Sequence, residues 1–447
     1  MLKPRSPAGL ARLPAGDQAL PDYTSKDSKM PESRYNFWGQ TPDGASLLFN
    51  GRTGALLELE DGEDTLVRAA LAGAENEAAP LLRQSGCVVD DSDDEVNALI
   101  RRFEGASGAS PILELTLSPT YACNFRCTYC YVDFDERRMS EDVARRIRQF
   151  FERELPGFEQ ANITWFGGEP LLQWRQVAKL ASDLSAIGRS VGRPVLHFLT
   201  TNGYLLTPEV ARTLVDSGIS YFHVTIDGAD QGQDTRRVLR GGHPTYERVL
   251  ANLLNLLGDH PEVGVTLRMN LEPDSTRAVR PLLESIPLEY RHRVQVHATP
   301  IIREGVERPA ELHRKVAEAI TLAQQLGYAY YDNAVPIGRS RNCSAEASTN
   351  YQIGPDGQLH KCSPSFKPEV TVGRLGPSGA VSTMHAALRW KSVPQLADKC
   401  LDCRYLCFCG GGCRLNRLRV APDPTCADQY GPMDTLILNR WLALKSP

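Results

Sequence analysis

Beyond residue 110 the chain alternates two hydrophobic rhythms. Apolar runs of five to seven residues at ILELTLS (112–118), ANITWF (161–166), VLHFLT (195–200), YFHVTI (221–226), GVTLRMN (264–270) and 295–299 read as six strands. Between them apolar residues recur every three or four positions, as in EDVARRIRQFFEREL, TPEVARTLVDSG and TYERVLANLLNLLG, which predicts amphipathic helices. Strand and helix in alternation predict an α/β fold with a parallel sheet and right-handed crossovers, and six such units predict a partial (β/α)6, TIM-like barrel over residues 109–305. In such barrels chemistry sits at the C-terminal ends of the strands.

The flanks have a different texture. Residues 1–33 are rich in Pro, Ser, Lys and Gly without periodicity, which predicts a disordered tail. RYNFWGQTPDGASLLFNGRTGALLELE reads as two or three short strands joined by glycine-containing turns. Helical signals follow at DTLVRAALAG, AAPLLRQSG and DDEVNALIRRF, so residues 34–108 are expected to form a small, winged-helix-like α+β unit. A linking helix and bridge over 306–342 and a cysteine-rich domain over 343–447 complete the expected organisation.

With 447 residues, 42% of them hydrophobic and 23% charged, the chain is long enough for two or three cores. Its net charge of −4 gives no footprint for a nucleic-acid backbone or an anionic membrane. No apolar run approaches the roughly 20 residues that span a bilayer, and the N-terminus lacks the apolar core of a secretory signal, so a cytoplasmic location is expected. Twelve cysteines then point to metal or catalytic use, because the cytosol is reducing. Cys87, alone in SGCVVD, reads as a buried structural thiol, whereas Cys123, Cys127 and Cys130 form one knot and eight more lie between Cys343 and Cys426.

The knot, CNFRCTYC, has C-x3-C-x2-C spacing and follows the first barrel strand. Three thiols and a fourth ligand suit a tetrahedral zinc, but one loop wrapping three corners suits an iron–sulfur cubane and leaves one iron open to a substrate or cofactor. Here the chain resembles the radical S-adenosylmethionine (SAM) superfamily, whose signature is this spacing with an aromatic, Tyr129, before the last cysteine. WFGGEP (165–170) is similar to the family's Gly-Gly-Glu segment, which implies that Glu169 and neighbouring carbonyls receive the SAM ammonium while Gly167 and Gly168 allow backbone to approach ligand. TTNGYLL (200–206) matches the Thr-Asn-Gly turn carrying Asn202, and HVTIDG (223–228) the segment near the ribose, with Thr225 where serine is common. Arg268 in VTLRMN matches the residue that pairs with the SAM carboxylate. The resemblance, over about residues 110–305, implies that an electron passing through the cluster cleaves SAM to methionine and a 5′-deoxyadenosyl radical, which takes a hydrogen atom from the substrate. The loop QDTRRVLRGGHPTY, where Gln233 stands at a position that is commonly His, reads either as a solvated basic closure of the barrel mouth or as a substrate contact. No proton-transfer residue is assigned.

The second group runs Cys343, Gly357-x4-Cys362, Cys400-x2-Cys403-x5-Cys409-x3-Cys413 and Cys426, with a GGGC run whose amides would point at sulfurs. It resembles the SPASM domain, which implies two auxiliary 4Fe-4S clusters, three clusters in all. Cys400, Cys403, Cys409 and Cys426 would ligate the outer cluster, and Cys343, Cys362 and Cys413 the inner one. The further upstream cysteine common in that family is absent, which leaves the fourth inner ligand open. Cys407 reads as a buried spectator before it reads as that ligand, and His360 as a surface or hydrogen-bonding residue.

Auxiliary clusters imply loss of two electrons from the substrate. The resemblance points to a maturase that oxidises a ribosomally made precursor peptide, forming a thioether or C–C cross-link, with flavodoxin or ferredoxin as electron donor. Residues 34–108 resemble the units that capture leader peptides by strand addition, LLFNGRTGALLELE (47–60) supplying the edge and groove. Two alternatives stand beside this reading. One is a maturase of a folded enzyme partner of the sulfatase or quinohemoprotein dehydrogenase type, although sulfatase-type members usually lack an N-terminal unit and carry the upstream cysteine. The other is a non-enzymatic iron–sulfur scaffold, which would have no use for a SAM site.

Overall fold

The computed structural model describes residues 31–60, 62–90, 94–106, 110–130, 132, 135–301, 310–329, 345, 347–362, 371–384, 387, 390, 396–415, 418 and 433–445. Nearly all of the expected N-terminal tail, together with Cys343 and Cys426, lies outside these residues.

Strands β1 (Asn36–Gln40), β2 (Ser46–Asn50) and β3 (Leu56–Leu59) form an antiparallel sheet in that order, followed by helices α1 (Glu63–Leu71), α2 (Ala79–Ser85) and α3 (Glu95–Ala106). Period-two alternation divides its side chains between two cores. Leu48, Leu57 and Leu59 pack with Val67, Leu71 and Leu82 of α1 and α2, and Cys87 is buried with them. Phe37, Leu47, Phe49 and Leu56 face the other way. That face is covered by the C-terminal part of the chain.

The barrel runs β4 (Ile112–Leu117), β5 (Phe125–Cys127), α4 (Glu141–Glu154), β6 (Gln160–Trp165), α5 (Trp174–Ser190), β7 (Val195–Thr201), α6 (Pro208–Asp216), β8 (Ile219–Thr225), α7 (Gln231–Asp234), β9 (Arg237–Leu239), α8 (Tyr246–Asp259), β10 (Gly264–Leu271), α9 (Val279–Ser285), α10 (Leu288–Arg291), β11 (Val294–Pro300) and α11 (Ala310–Gln325). All six expected strands form, and β4, β6, β7, β8, β10 and β11 lie side by side in chain order, all parallel. Leu113, Leu115, Ile163, Trp165, Leu199, Phe222, Leu267 and Val296 turn to the helices and build the largest core. Most intervening positions are polar, Phe198 beside Tyr221 being an exception. Tyr221 reaches Thr266 (2.9 Å) and Gln295 (2.7 Å) across that inner face, so the lumen is a polar one.

The sheet continues past β4. Strand β12 (Asn350–Ile353) pairs parallel with β4, and β13 (Gln358–His360), β14 (Thr371–Leu375) and β15 (Val381–Thr383) extend it antiparallel to ten strands. His360 is not a surface residue. It is buried, with Thr371 Oγ1 3.4 Å from its Nδ1. Short helices α12 (Asp398–Leu401) and α13 (Leu406–Cys409) and the C-terminal α14 (Met433–Lys445) complete the described structure.

Candidate active site

The cysteine loop leaves β4 and is anchored by Phe125, fully buried and edge-on to Tyr204. Two residues on, Cys127 ends the short strand β5, which pairs with β9 outside the main sheet. Two further backbone bonds clamp the loop: the Arg240 N–H donates to the Asn124 carbonyl (2.8 Å) and the Thr128 N–H to the Arg236 carbonyl (3.0 Å). The segment read as a solvated basic closure is therefore a clamp. Gln233, Arg236 and Arg237 are buried in it, and Asp234 caps α8 by accepting from the Thr245 and Tyr246 amides.

Cys123 and Cys127 are half-buried and Cys130 is exposed. Burial pushes the Cys123 thiol up to about 12, with the Glu169 carboxylate adding to the effect. Burial also raises Cys127, while Arg237 opposes it. Among the described residues no three Cys, His, Asp or Glu side chains converge on one ion-sized point, as a mononuclear zinc site requires. A cubane instead takes each thiolate on a separate iron, which one loop with this spacing can supply.

The glycines of WFGGEP also pack against protein backbone. A Cβ on Gly168 would lie 2.2 Å from the Ala122 carbonyl oxygen and one on Gly167, at φ +141°, 2.3 Å from that of Thr120. What approaches these glycines is the cysteine loop's own backbone, bonded through Gly168 N–H to Thr120 O (3.1 Å) and Glu169 N–H to Ala122 O (2.9 Å). Glu169 is fully buried beneath the loop. Its Oε1 accepts from the Leu171 amide (3.0 Å) and the Thr201 hydroxyl (2.7 Å), and its Oε2 from the Asn202 amide (2.8 Å). Burial raises its pKa and those bonds counteract the rise. Asn202 carries the tie onward, donating to Asn124 Oδ1 at 2.8 Å.

On the lumen side Thr225 is the direct neighbour of Arg268, and Arg268 of His297. Arg268 Nε donates to Asn270 Oδ1 (3.0 Å), and its Nη1 lies 3.2 Å from His297 Nδ1. Tyr129 has turned inward to donate to the Asp227 carboxylate while its hydroxyl receives Arg237 Nη1 (2.7 Å) and Asn270 Nδ2 (3.2 Å). Asp227 is fully buried and its Oδ1 accepts from the Asn270 amide (2.9 Å). Tyr129, Glu169, Asn202, Thr225 and Arg268 thus gather at one end of the barrel with the cysteine loop. The network through Asp227, Arg237 and Asn270 was not assigned from the sequence. Asn270 follows Arg268 by two and shares its face, a period-two signal that could have found it; Arg237 in a basic loop gave none.

The second cysteine group has other surroundings. Cys400 and Cys407 are buried with Leu406 and Phe408 against Phe37 and Phe49 of the N-terminal sheet. Cys407 is buried, and its sulfur sits where a Cβ on Gly51 would come within 2.7 Å. Cys403 and Cys409 are half-buried and Cys413 is exposed. Burial raises the Cys409 thiol and the neighbouring Gly411 and Gly412 amides lower it, and the Gly412 N–H donates to the Cys409 carbonyl (3.1 Å). Gly410, Gly411 and Gly412 are all left-handed, so only glycines fit this turn. Cys362 packs apart from these, beside Ala345, Trp390 and Leu415.

Comparison with known proteins agrees with the geometry. The profile of the radical SAM superfamily matches residues 117–277. The serine-type anaerobic sulfatase-maturating enzyme of Klebsiella aerogenes is 25% identical over 331 residues, covering 69% of this chain and 81% of the relative. Among solved structures, anSMEcpe with bound AdoMet and Cp18Cys peptide shares the fold at a TM-score of 0.57 and 17% identity, covering 74% of this chain and 96% of that one. SuiB of Streptococcus suis, bound to precursor peptide SuiA, does so at 0.52 and 16%, covering 88% and 98%. Among the described residues no helix is long and apolar enough to cross a membrane. Profile and relatives agree that residues 117–277 carry a radical SAM domain and that the chain is an enzyme, and the solved structures share its fold.

Proposed function

We propose that this enzyme is a maturase that binds SAM and three 4Fe-4S clusters and oxidises a ribosomally made precursor peptide, closing a thioether or C–C cross-link. The observation that carries the peptide reading is the N-terminal sheet. β3 is bonded to β2 on one side only, among the described residues, and offers its other edge for strand addition. β2 is the central strand, so the edge comes from β3 alone rather than from the whole of residues 47–60. Residues 109–447 make up about three quarters of the 447-residue chain, so the likeness to SuiB at 88% reaches into the N-terminal unit, whereas that to anSMEcpe at 74% need not. SuiB is the neighbour solved with a precursor peptide.

In this reading Cys123, Cys127 and Cys130 hold the first cluster. When bound, it supplies the electron that cleaves SAM and so generates the radical that takes a substrate hydrogen. Glu169 carries one bond on Oε2 and two on Oε1, so Oε2 retains acceptor capacity for the SAM ammonium. Thr225 faces the ribose, and Arg268, oriented by Asn270, grips the carboxylate. Cys400, Cys403, Cys409 and Cys426 would hold the outer auxiliary cluster and Cys343, Cys362 and Cys413 the inner one, with a flavodoxin or ferredoxin as electron donor.

The test is mass spectrometry of short peptides encoded beside the gene, each co-expressed anaerobically with the wild type and with Cys123→Ala. A loss of two hydrogens that depends on Cys123 is expected. SAM cleavage with every peptide unchanged would instead favour a folded protein partner, the reading that the sulfatase-maturating relative supports, and would remove the leader-binding role of residues 34–108.

A further inference from the structure

One charged side chain beside the cysteine loop is left unused by the mechanism above. β5 and β9 pair antiparallel with Cys127 directly opposite Arg237. Directly opposed residues share a face, their Cβ atoms roughly 5 Å apart. Arg237 is 6% exposed, its guanidinium carbon 5.7 Å from the centre of the Phe125 ring and its Nη1 bonded to the Tyr129 hydroxyl. Among the described residues no carboxylate is in ion-pair contact with Arg237: Asp227 is bonded to it through that hydroxyl, and Asp227 and Glu169 act on it through space. A guanidinium does not shed its proton, and a buried cation needs anions around it. Thiolates around a bound cluster would add to these on the Cys127 side.

We infer that Arg237 is a positioning residue for the iron–sulfur cluster, a fixed and water-excluded cation on the Cys127 side that favours the reduced state and raises the reduction potential. Reduction would add one negative charge, the electron coming from the external donor, and a permanent cation on the Cys127 face, in a medium of low dielectric, would stabilise it. The rest of the network keeps that cation in place: Tyr129 holds the guanidinium, Asp227 and Asn270 hold Tyr129, and Asn270 orients Arg268. The inference rests on the assignment of the cluster to Cys123, Cys127 and Cys130.

The experiment is an anaerobic redox titration, followed by electron paramagnetic resonance, of the full-length reconstituted enzyme and its Arg237→Gln and Arg237→Lys variants. Iron is counted for each, and the cluster of interest is identified as the one whose signal changes on adding SAM. R237Q should load that cluster with a more negative midpoint, and R237K, which keeps the charge but not the fork, should stay near the wild type. Equal midpoints for wild type and R237Q, or a shift in R237K as large as in R237Q, would overturn the inference and leave a packing role. If R237Q does not load, R237K decides: loading at the wild-type midpoint supports the charge, and failure to load overturns it. A wild type without any SAM-responsive cluster would be distinguishable from all of these, because it removes the site assignment and the inference with it.

Discussion

The two cysteine regions are held in opposite ways. Around Cys123–Cys130 the polar neighbours are the buried Glu169, Asn202, Asp227 and Arg237 and the half-buried Asn270, each tied by hydrogen bonds, so the loop's position is specified by a polar network. Around Cys400–Cys409 they are Phe37, Phe49, Leu406, Phe408 and Ile437, and the position is set by burial of apolar area against the N-terminal sheet. A fixed charge can bias a centre toward accepting an electron. Apolar docking instead makes the second region move with the N-terminal unit, which is also the unit that would hold a leader peptide. One region is held by a network of polar and charged groups, the other by apolar attachment.

The strongest way to break this division is to empty the first region. Replacing Cys123, Cys127 and Cys130 together by Ala should take reductive SAM cleavage to background and remove about four irons per chain, one cubane's worth, while the remaining iron stays. Iron analysis alongside 5′-deoxyadenosine release reads both. Loss of all iron would mean that the two regions do not bind metal independently.

What the sequence made legible follows from which physics is local. Six strands were readable because each puts apolar residues on its helix-facing side every second position, Leu113 and Leu115 of β4 being the pattern in small. The cysteine spacing and the GGE segment were readable because their chemistry demands particular residues at particular intervals. The packing of Gly168 was not legible because a glycine signals close approach without naming every partner; here the Ala122 carbonyl is one. Arg237 was unreadable because a charged residue in a Gly- and Arg-rich loop looks solvated until the β5–β9 pairing, a contact between segments over 100 residues apart, is known. The continuation of the barrel sheet through β12 likewise depends on a pairing across more than 230 residues, Asn350 beside Glu114.

The second region can be tested through its aromatic dock. The Phe408 ring lies 5.3 Å from that of Phe37 and 6.1 Å from that of Phe49, and it is buried. Phe408→Ala should cost ~3–5 kcal/mol, the usual range for emptying an aromatic site. The cost should appear as faster proteolysis within residues 34–60 and weaker retention of the C-terminal iron. SAM cleavage should stay within about twofold of wild type, since among the described residues none of the first region belongs to this cluster. A fall in SAM cleavage as deep as that of the triple cysteine variant would show that docking supports the barrel after all.

Acid should separate the regions more gently, through His197. Its ring is fully buried on the helix side of β7, stacked on Trp165, with Trp165 Nε1 3.4 Å from Nδ1 and Ser185 Oγ 3.0 Å from Nε2. The indole can only donate, so Nδ1 accepts and Nε2 carries the single proton of a neutral imidazole. Burial lowers its pKa from 6.5 to about 4. The folded chain therefore takes up this proton only near pH 4, the unfolded chain already near 6.5, and between those values the unfolded state binds more protons. Stability from this group is complete above pH 6.5 and declines as pH falls toward 4, by a total of up to ~3 kcal/mol. His223, lowered to about 4 by burial and by Arg268, adds a slope of the same sign in the lumen. His197→Asn keeps one acceptor and one donor but does not titrate, so it should flatten the acid slope of the barrel's melting temperature by about half. The rings of Phe37, Phe49 and Phe408 carry no titrating group, so the dock should outlast the barrel between pH 6 and 4.5. An unchanged slope in the variant would mean that the barrel's acid sensitivity does not come from His197, and would leave His223, lowered by burial and by Arg268, as the imidazole that separates the barrel from the apolar dock.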